Sequence, residues 1–181
     1  MKKTLLIVIC SSLALLALVV LLQPERCSTD VNAPQSSRII RDMTGREVRV
    51  PIEVHRVVTA MYPIATQLML LVGAQDMLTG ISDMDVNPVM EKIYPPIAGI
   101  YRPGRTDHGD ISTEEVIKMF PDVVFTHTRK ALINNYADLG IATISLKLET
   151  PEELIRGIEL VGRVVAREER ARIIADYYRA K

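Results

Sequence analysis

A predicted helix followed at once by a buried strand, between residues 110 and 127, constrains the fold of this chain more than any other stretch. Ser112 and Glu115 have the spacing of a capping box, which predicts that a helix begins there. The predicted apolar face of this helix consists of Val116, Ile117 and Phe120. Pro121 has no amide hydrogen to donate and therefore ends the helix. The unbroken apolar run 123–125 is typical of a strand covered on both faces in a parallel sheet, which predicts an α/β domain.

Similar patterns predict the other strands and a hairpin that precedes them. Apolar and charged residues alternate around the turn at Thr44 and Gly45, as is typical of a small β-hairpin. The predicted core strands are 57–60, 78–82, 122–126 and 141–148. Helical patterns lie between consecutive strands, and this alternation is typical of a parallel sheet with helices on both faces. We therefore predict a three-layer, Rossmann-like α/β fold with a mostly parallel sheet.

The last part of the sequence predicts a long carboxy-terminal helix. Thr150 and Glu153 form a second capping box, with Pro151 in the favoured first position. Apolar residues recur at helical spacing from 154 to 165. Continued over 150–181, such a helix would be roughly 45 Å long at 1.5 Å per residue.

The first residues predict export of the domain. Lys2 and Lys3 precede the uncharged apolar run 4–22, which resembles a secretory signal but exceeds the usual apolar core of roughly 7 to 15 residues. It is nearly as long as the about 20 residues that a transmembrane helix needs. An uncleaved anchor and a cleaved signal both remain open. Residues 23–37 are rich in Pro, Ser, Asn and Gln and predict a flexible tether.

Several classes of function lack their required residues. Basic and acidic residues both number 22, whereas nucleic-acid-binding surfaces are usually strongly basic. The sequence has no G-x-S-x-G elbow, no P-loop and no G-x-G-x-x-G after a strand, so no catalytic constellation and no cofactor are predicted.

The cysteines and histidines predict no metal site. Cys10 and Cys27 have no zinc-type or C-x-x-C neighbour. His108 lies in an acidic loop, but no second histidine stands at ligand spacing, so we interpret it as a polar loop residue. We interpret His55 as structural.

Five short motifs occur in this order along the chain. They are 42–51 (D-M-T-G-R-E-V-R-V-P), 56–58 (R-V-V), 71–81 (L-V-G-A-Q-D-M-L-T-G-I), 113–117 with 121–124 (T-E-E-V-I and P-D-V-V), and 139–141 (L-G-I). In this order, behind an export signal and ahead of a long helix, they resemble the amino-terminal lobe of the ABC-importer substrate-binding proteins for iron-siderophores, haem and vitamin B12. This family is also known as periplasmic-binding-protein class III.

The resemblance implies a domain organisation. In that family a long helix joins two α/β lobes, and the substrate lies between them. The expected segments are a signal peptide or membrane anchor (1–22), a tether (23–37), a substrate-binding lobe (38–149) and an inter-lobe helix (150–181), with the second lobe absent.

Five residues are predicted to gather at the ligand-binding edge of the sheet, where the carboxyl ends of parallel strands meet. They are Tyr62, Tyr101, Arg102, Arg105 and His127. Arginine offers planar bidentate donors for oxyanions, and tyrosine offers an aromatic face for a macrocycle. A large anionic chelate would suit them, and an ordinary solvated loop is the alternative.

Glu114 has two interpretations. The resemblance implies that it docks into arginines of the membrane permease. Alternatively, it is a first-turn acid favoured by the helix dipole.

The resemblance implies a truncated extracytoplasmic substrate-binding component of an ABC importer for a metal chelate such as ferric siderophore, haem or cobalamin. Its expected partners are the permease, the chelate and a separately encoded second lobe, and no nucleic acid. An exported single-domain enzyme of unknown reaction and a non-functional remnant of a truncated gene are the alternatives.

Overall fold

The computed structural model describes residues 36–61, 63–103 and 111–181. Its first elements are the strands β1 (Ser37–Arg41) and β2 (Glu47–Pro51), which pair antiparallel as the predicted hairpin. Gly45 turns the chain with a φ of 86°, a left-handed conformation that glycine adopts without steric cost.

A four-stranded parallel sheet forms the centre of the fold. Its strands are β3 (Val57–Ala60), β4 (Leu78–Gly80), β5 (Val123–Thr126) and β6 (Ala142–Ser145), in the order β4-β3-β5-β6. The four predicted core strands are confirmed, although β4 and β6 are shorter than predicted. β3, β5 and β6 are buried along their whole length, as their apolar runs predict.

Helices cover both faces of this sheet. They are α1 (Ile64–Leu71), α2 (Pro88–Ile93), α3 (Thr113–Lys118), α4 (Lys130–Ala137), α5 (Pro151–Val164) and α6 (Glu168–Arg179). Val57 and Phe125 belong to the core that α1, α5 and α6 complete, whereas Val58 and Val124 belong to a second core with α3 and α4. The three-layer α/β prediction is therefore confirmed. Among the helices of the described residues, none combines the length and the apolar character needed to span a bilayer.

The carboxy-terminal segment forms two helices in place of the single one predicted over 150–181. The start of α5 is as predicted, because the side chains of Thr150 and Glu153 each bond the other residue's amide. The break comes at Ala166, whose φ of 53° lies in the left-handed region.

Two contacts hold the two helices together, and a third, from β1, binds the end of α5. The Arg38 guanidinium donates to the carbonyls of Arg163 and Val164 at the end of α5, which lack partners within the helix. Gly162 leaves no room for a Cβ beside Ala171 of α6. Arg179 pairs with Glu159 at 2.5 Å. α6 therefore packs against α5 and does not extend it.

The tip of the hairpin covers the exposed edge of β6. The amide of Met43 donates to the carbonyl of Ser145, and the Arg46 guanidinium donates to that of Thr143 at 2.7 Å. An uncovered edge strand would offer its backbone groups to other chains. This cover rests on Asp42, whose carboxylate accepts hydrogen bonds from Thr44 and from Arg46.

Candidate functional site

The order of the strands places a topological switch point at one edge of the sheet. After β3 the chain adds β4 on one side and then returns to add β5 on the other. In open α/β sheets, ligands bind at such a switch point, outside the carboxyl ends of the strands. His127 directly follows β5 at this point and is half-buried. Tyr62, predicted to join it, lies outside the described residues.

Tyr101 lies at the outer side of the same sheet. It forms a parallel bridge with Gly80, and its carbonyl accepts from the amide of Ile81 at 3.1 Å. Because neighbouring strands are about 4.8 Å apart, Tyr101 is roughly 14 Å from β5 across the sheet. Arg102 follows and is exposed. Arg105, in the same loop, lies outside the described residues, as does His108.

The Tyr101 hydroxyl is held by Glu115 of α3. It donates to Oε2 of Glu115 at 2.5 Å, and Lys118 binds the other oxygen of the same carboxylate. The bonds from Lys118 and Tyr101 lower the pKa of Glu115, and the bond to Glu115 raises the pKa of Tyr101. Half of the tyrosine surface stays exposed, so the ring rather than the hydroxyl is available to a ligand.

The predicted capping box at Ser112 is wrong. Ser112 is the residue before α3, but its side chain makes no bond to the helix backbone. Its hydroxyl donates instead to Glu114, while Glu115 binds Tyr101. No local sequence pattern indicates that Glu115 binds Tyr101, because the two residues are fourteen positions apart.

Glu114 presents an ionised carboxylate at the edge that holds the switch point. Its backbone amide and the Ser112 hydroxyl lower its pKa, and its side chain is exposed. α3 precedes β5 and runs towards the amino end of that strand, so the start of α3 lies at the carboxyl edge. The position suits a docking contact, and the docking role stays a prediction.

The apolar face predicted for this helix is only partly formed. Val116 is buried, whereas Ile117 is exposed and Phe120 is 77% exposed. Phe120 has a φ of 46°, because the chain turns here from α3 towards β5. The helix ends at Lys118, before that turn.

The opposite edge of the sheet holds a groove that lacks convergent ligand groups. Its volume is about 340 Å³, and its lining includes Pro51, Asp122 and Gly140. The carboxylate of Asp122 already accepts from the amides of His55 and Arg56, which ties the start of β5 to that of β3. His55 is exposed and lies 3.6 Å from Glu53. No group of three potential metal ligands occurs in the described ranges.

A buried carboxyl near the ligand edge was missed by the sequence analysis. Asp85 lies in the 3₁₀ turn Asp83–Asp85 after β4 and is fully buried. Burial raises its pKa to about 6, against smaller lowering effects from the Thr66 hydroxyl and the Ser82 amide. The pattern Ser82-x-x-Asp85, which has capping-box spacing, was the signal that could have found it.

Comparisons with known proteins agree on the fold. No protein-family model matches the chain, and no curated protein sequence matches it significantly. Among solved structures, it is similar to a periplasmic solute binding protein from Veillonella parvula, with 23% identity and a TM-score of 0.69 over 80% of this chain and 46% of that one.

Two further structures extend this similarity. The molybdate periplasmic binding protein MolA of Haemophilus influenzae is 19% identical, with a TM-score of 0.68 over 77% of this chain and 49% of that one. The haem binding protein HmuT is 18% identical, with a TM-score of 0.60 over 82% of this chain and 47% of that one. The chain thus has the fold of one part of periplasmic binding proteins, as the sequence motifs imply, and spans less than half the length of each.

Proposed function

We propose that this chain is the extracytoplasmic substrate-binding component of an ABC importer and supplies one lobe of the binding site. The observation that carries the proposal is the fold: about half of each of several periplasmic binding proteins superposes on this chain. The proposed substrate is a metal chelate such as ferric siderophore, haem or cobalamin. In this proposal the chain binds its substrate without turnover.

The chemistry of the switch-point edge supports an anionic, partly aromatic ligand. Arg102 is exposed at this edge and offers bidentate donors to carboxylates or other oxyanions. The exposed ring of Tyr101 offers a flat apolar surface. His127 borders the switch point on the other side of β3. We propose that Tyr62 and Arg105 contribute to the same site.

The partners follow from the same proposal. Glu114 docks onto arginines of the permease, where an exposed ion pair of about 0 to 1 kcal/mol orients the complex more than it tightens it. A second lobe closes over the ligand. The domain lies outside the cytoplasm, on a membrane anchor or as a secreted protein.

Calorimetric titration of the purified chain with ferric siderophores, haem and cobalamin tests the proposal. Ligand sites normally bury about 70 to 90% of the ligand, and a site between two lobes loses roughly half of its contacts when one is missing. Losing half of a typical 8 kcal/mol moves the dissociation constant from about micromolar towards millimolar. We therefore expect weak binding by this lobe.

The variants Tyr101→Ala and Arg102→Ala should weaken that binding further. Arg49→Ala is the matched control, because Arg49 is also exposed but lies on the hairpin strand β2, near the opposite edge. Submicromolar affinity of the single lobe would show that it is a complete receptor. Turnover of a substrate would favour the enzyme alternative, and equal effects of Arg49→Ala and Arg102→Ala would overturn the assignment of the edge.

A further inference from the structure

Among the described residues, Asp85 is the buried carboxyl that forms no ion pair, since Asp42 pairs with Arg46 and Glu153 with Lys147. Its Oδ2 accepts a hydrogen bond from the Ser82 amide at 2.8 Å. Its Oδ1 lacks a well-formed hydrogen bond among the described residues, because the Thr66 hydroxyl donates towards this carboxyl only with poor geometry, and the side chain is shielded from solvent. An unpartnered buried polar atom normally costs about 1 to 3 kcal/mol, and more when it is charged. The position therefore tolerates a neutral carboxylic acid better than a carboxylate.

A short line of hydroxyl groups connects this carboxyl to the centre of the sheet. The hydroxyl of Thr66, on α1, donates towards the Asp85 carboxyl and lowers its pKa. The same hydroxyl lies 2.6 Å from the hydroxyl of Thr59, on β3. Both threonines are buried. The first helix, the central strand and the turn after β4 thus share one polar network, directly beneath the edge where β3 and β4 end.

Among the described residues, the neighbouring elements bring no compensating charge to Asp85. α1, β3 and β4 contain no ionisable residue at all. On its own turn Asp83 is exposed, and on α2 Glu91 and Lys92 are exposed. Tyr62, between β3 and α1 in the sequence, lies outside the described ranges, as do Arg105 and His108 of the loop 104–110. Burial therefore dominates and raises the pKa of the carboxyl to about 6.

The proton on Asp85 decides what the network can do. When the carboxyl is neutral, its O–H is able to donate towards the Thr66 hydroxyl, which in turn donates to Thr59. When it is ionised, both oxygens need donors, and the nearby ones are the Ser82 amide and the Thr66 hydroxyl, both neutral. Ionisation thus leaves a buried anion without a counter-charge from the described residues, a state that opening of the turn to water relieves.

We propose that Asp85 is a proton-controlled switch: loss of its proton loosens the loop 82–87 from α1 and β3, so the ligand edge of this lobe responds to pH near neutrality. The loop is fixed on both sides of the switch, since Ser82 caps the 3₁₀ turn and Asn87 caps α2. This inference goes beyond the transport proposal and stands without it, because it needs no ligand and no partner.

Hydrogen exchange of the full chain in detergent, from pH 5 to pH 8 and corrected for intrinsic rates, tests the switch. If Asp85 regains its ordinary pKa of 3.8 on opening, protection of the amides in 82–87 should fall about tenfold over this range. Protection in β5 should change less. Asp85→Asn should keep the bond from Ser82 and make protection independent of pH, whereas Asp83→Asn should behave as the wild type.

A second measurement does not depend on whether the variant folds. Carbon-13 NMR of the side-chain carboxyls in the wild-type chain should show Asp85 titrating near pH 6. A midpoint below about 4.5, close to that of an unperturbed aspartate, would overturn the proposal. Equal pH dependence of exchange in the wild type and Asp85→Asn would overturn it as well.

Discussion

Asp42 and Asp85 are both buried aspartates just after a strand, yet their pKa values move in opposite directions. Burial alone raises the pKa of each. At Asp42, bonds from Thr44 and Arg46 outweigh burial and lower the pKa below 3.8. At Asp85, the donors are the neutral Thr66 hydroxyl and Ser82 amide. Their bonds do not outweigh burial, and the pKa rises to about 6. The deeper burial of Asp85 and the richer supply of donors at Asp42 together decide which carboxyl is charged.

This difference separates a fixed part of the molecule from a responsive one. Asp42 forms an ion pair with Arg46 at 3.0 Å and holds the hairpin tip over β6, so its charge is part of the fold. Asp85 lies below the ligand edge and holds its loop through one amide. The hairpin should therefore be insensitive to pH between 5 and 8, and the loop should not.

Removing the carboxylate of Asp42 should have the largest effect. Asp42→Ala leaves the amides of Thr44 and Arg46 without their acceptor and removes the carboxylate partner of the Arg46 guanidinium, which keeps the Thr143 carbonyl. Breaking such a pair from one side typically costs about 3 to 5 kcal/mol, and we expect a loss near the lower value because Arg46 is partly exposed. Urea unfolding at pH 7 measures it.

The control for this variant is Glu47→Ala, which removes only an exposed pair with Arg41 and should cost less than about 1 kcal/mol. Because the pKa of Asp42 is lowered in the folded state, its contribution is present above about pH 3.8 and is lost as the pH falls through the folded-state value. Equal losses for the two variants would show that Asp42 is no more than a surface charge.

Asp85→Asn should have the next largest effect, and with the opposite sign. A folded-state pKa near 6 means that the stability Asp85 contributes is present below pH 3.8 and is lost as the pH rises through 6. Its neutral replacement should therefore raise the free energy of unfolding by about 2 to 3 kcal/mol at pH 8 and change it little at pH 4. Urea unfolding at both pH values measures this, with Asp83→Asn as control. If Asp85→Asn were instead less stable than the wild type at pH 8, the Asp85 carboxylate would have a stabilising partner in the folded protein.

Local sequence predicted the elements whose causes are local. The buried strands follow from their apolar runs, and the start of α5 follows from Thr150 and Glu153, three residues apart. These signals need no knowledge of the rest of the fold. His127 follows the end of β5 and Tyr101 bridges the end of β4. That the two residues share a ligand site stays a prediction.

The wrong predictions concern groups whose partners are distant in sequence. Glu115 had the spacing of a cap, but the hydroxyl of Tyr101, fourteen positions earlier, binds its carboxylate, and Lys118 of the same helix binds the other oxygen. The break after α5 occurs at Ala166, a residue with good helix propensity, where contacts from Arg38 and α6 override that propensity. The capping-box spacing of Ser82 and Asp85 is a local signal in the sequence. The pKa of Asp85 depends instead on burial and on the Thr66 hydroxyl of α1, which the local sequence does not show.

The smallest predicted effect tests the donors themselves. Thr44→Val removes the hydroxyl that bonds Asp42 at 2.7 Å, and Thr66→Val removes the one that acts on Asp85. A hydrogen bond contributes about 1 kcal/mol, so each carboxyl pKa should rise by less than about one unit although the two start on opposite sides of 3.8. Carbon-13 titration of the carboxyls measures both. Thr79→Val, whose hydroxyl bonds a carbonyl, should move neither value. If Thr66→Val left Asp85 unchanged, the hydroxyl network would not reach the carboxyl, and burial alone would set its proton affinity.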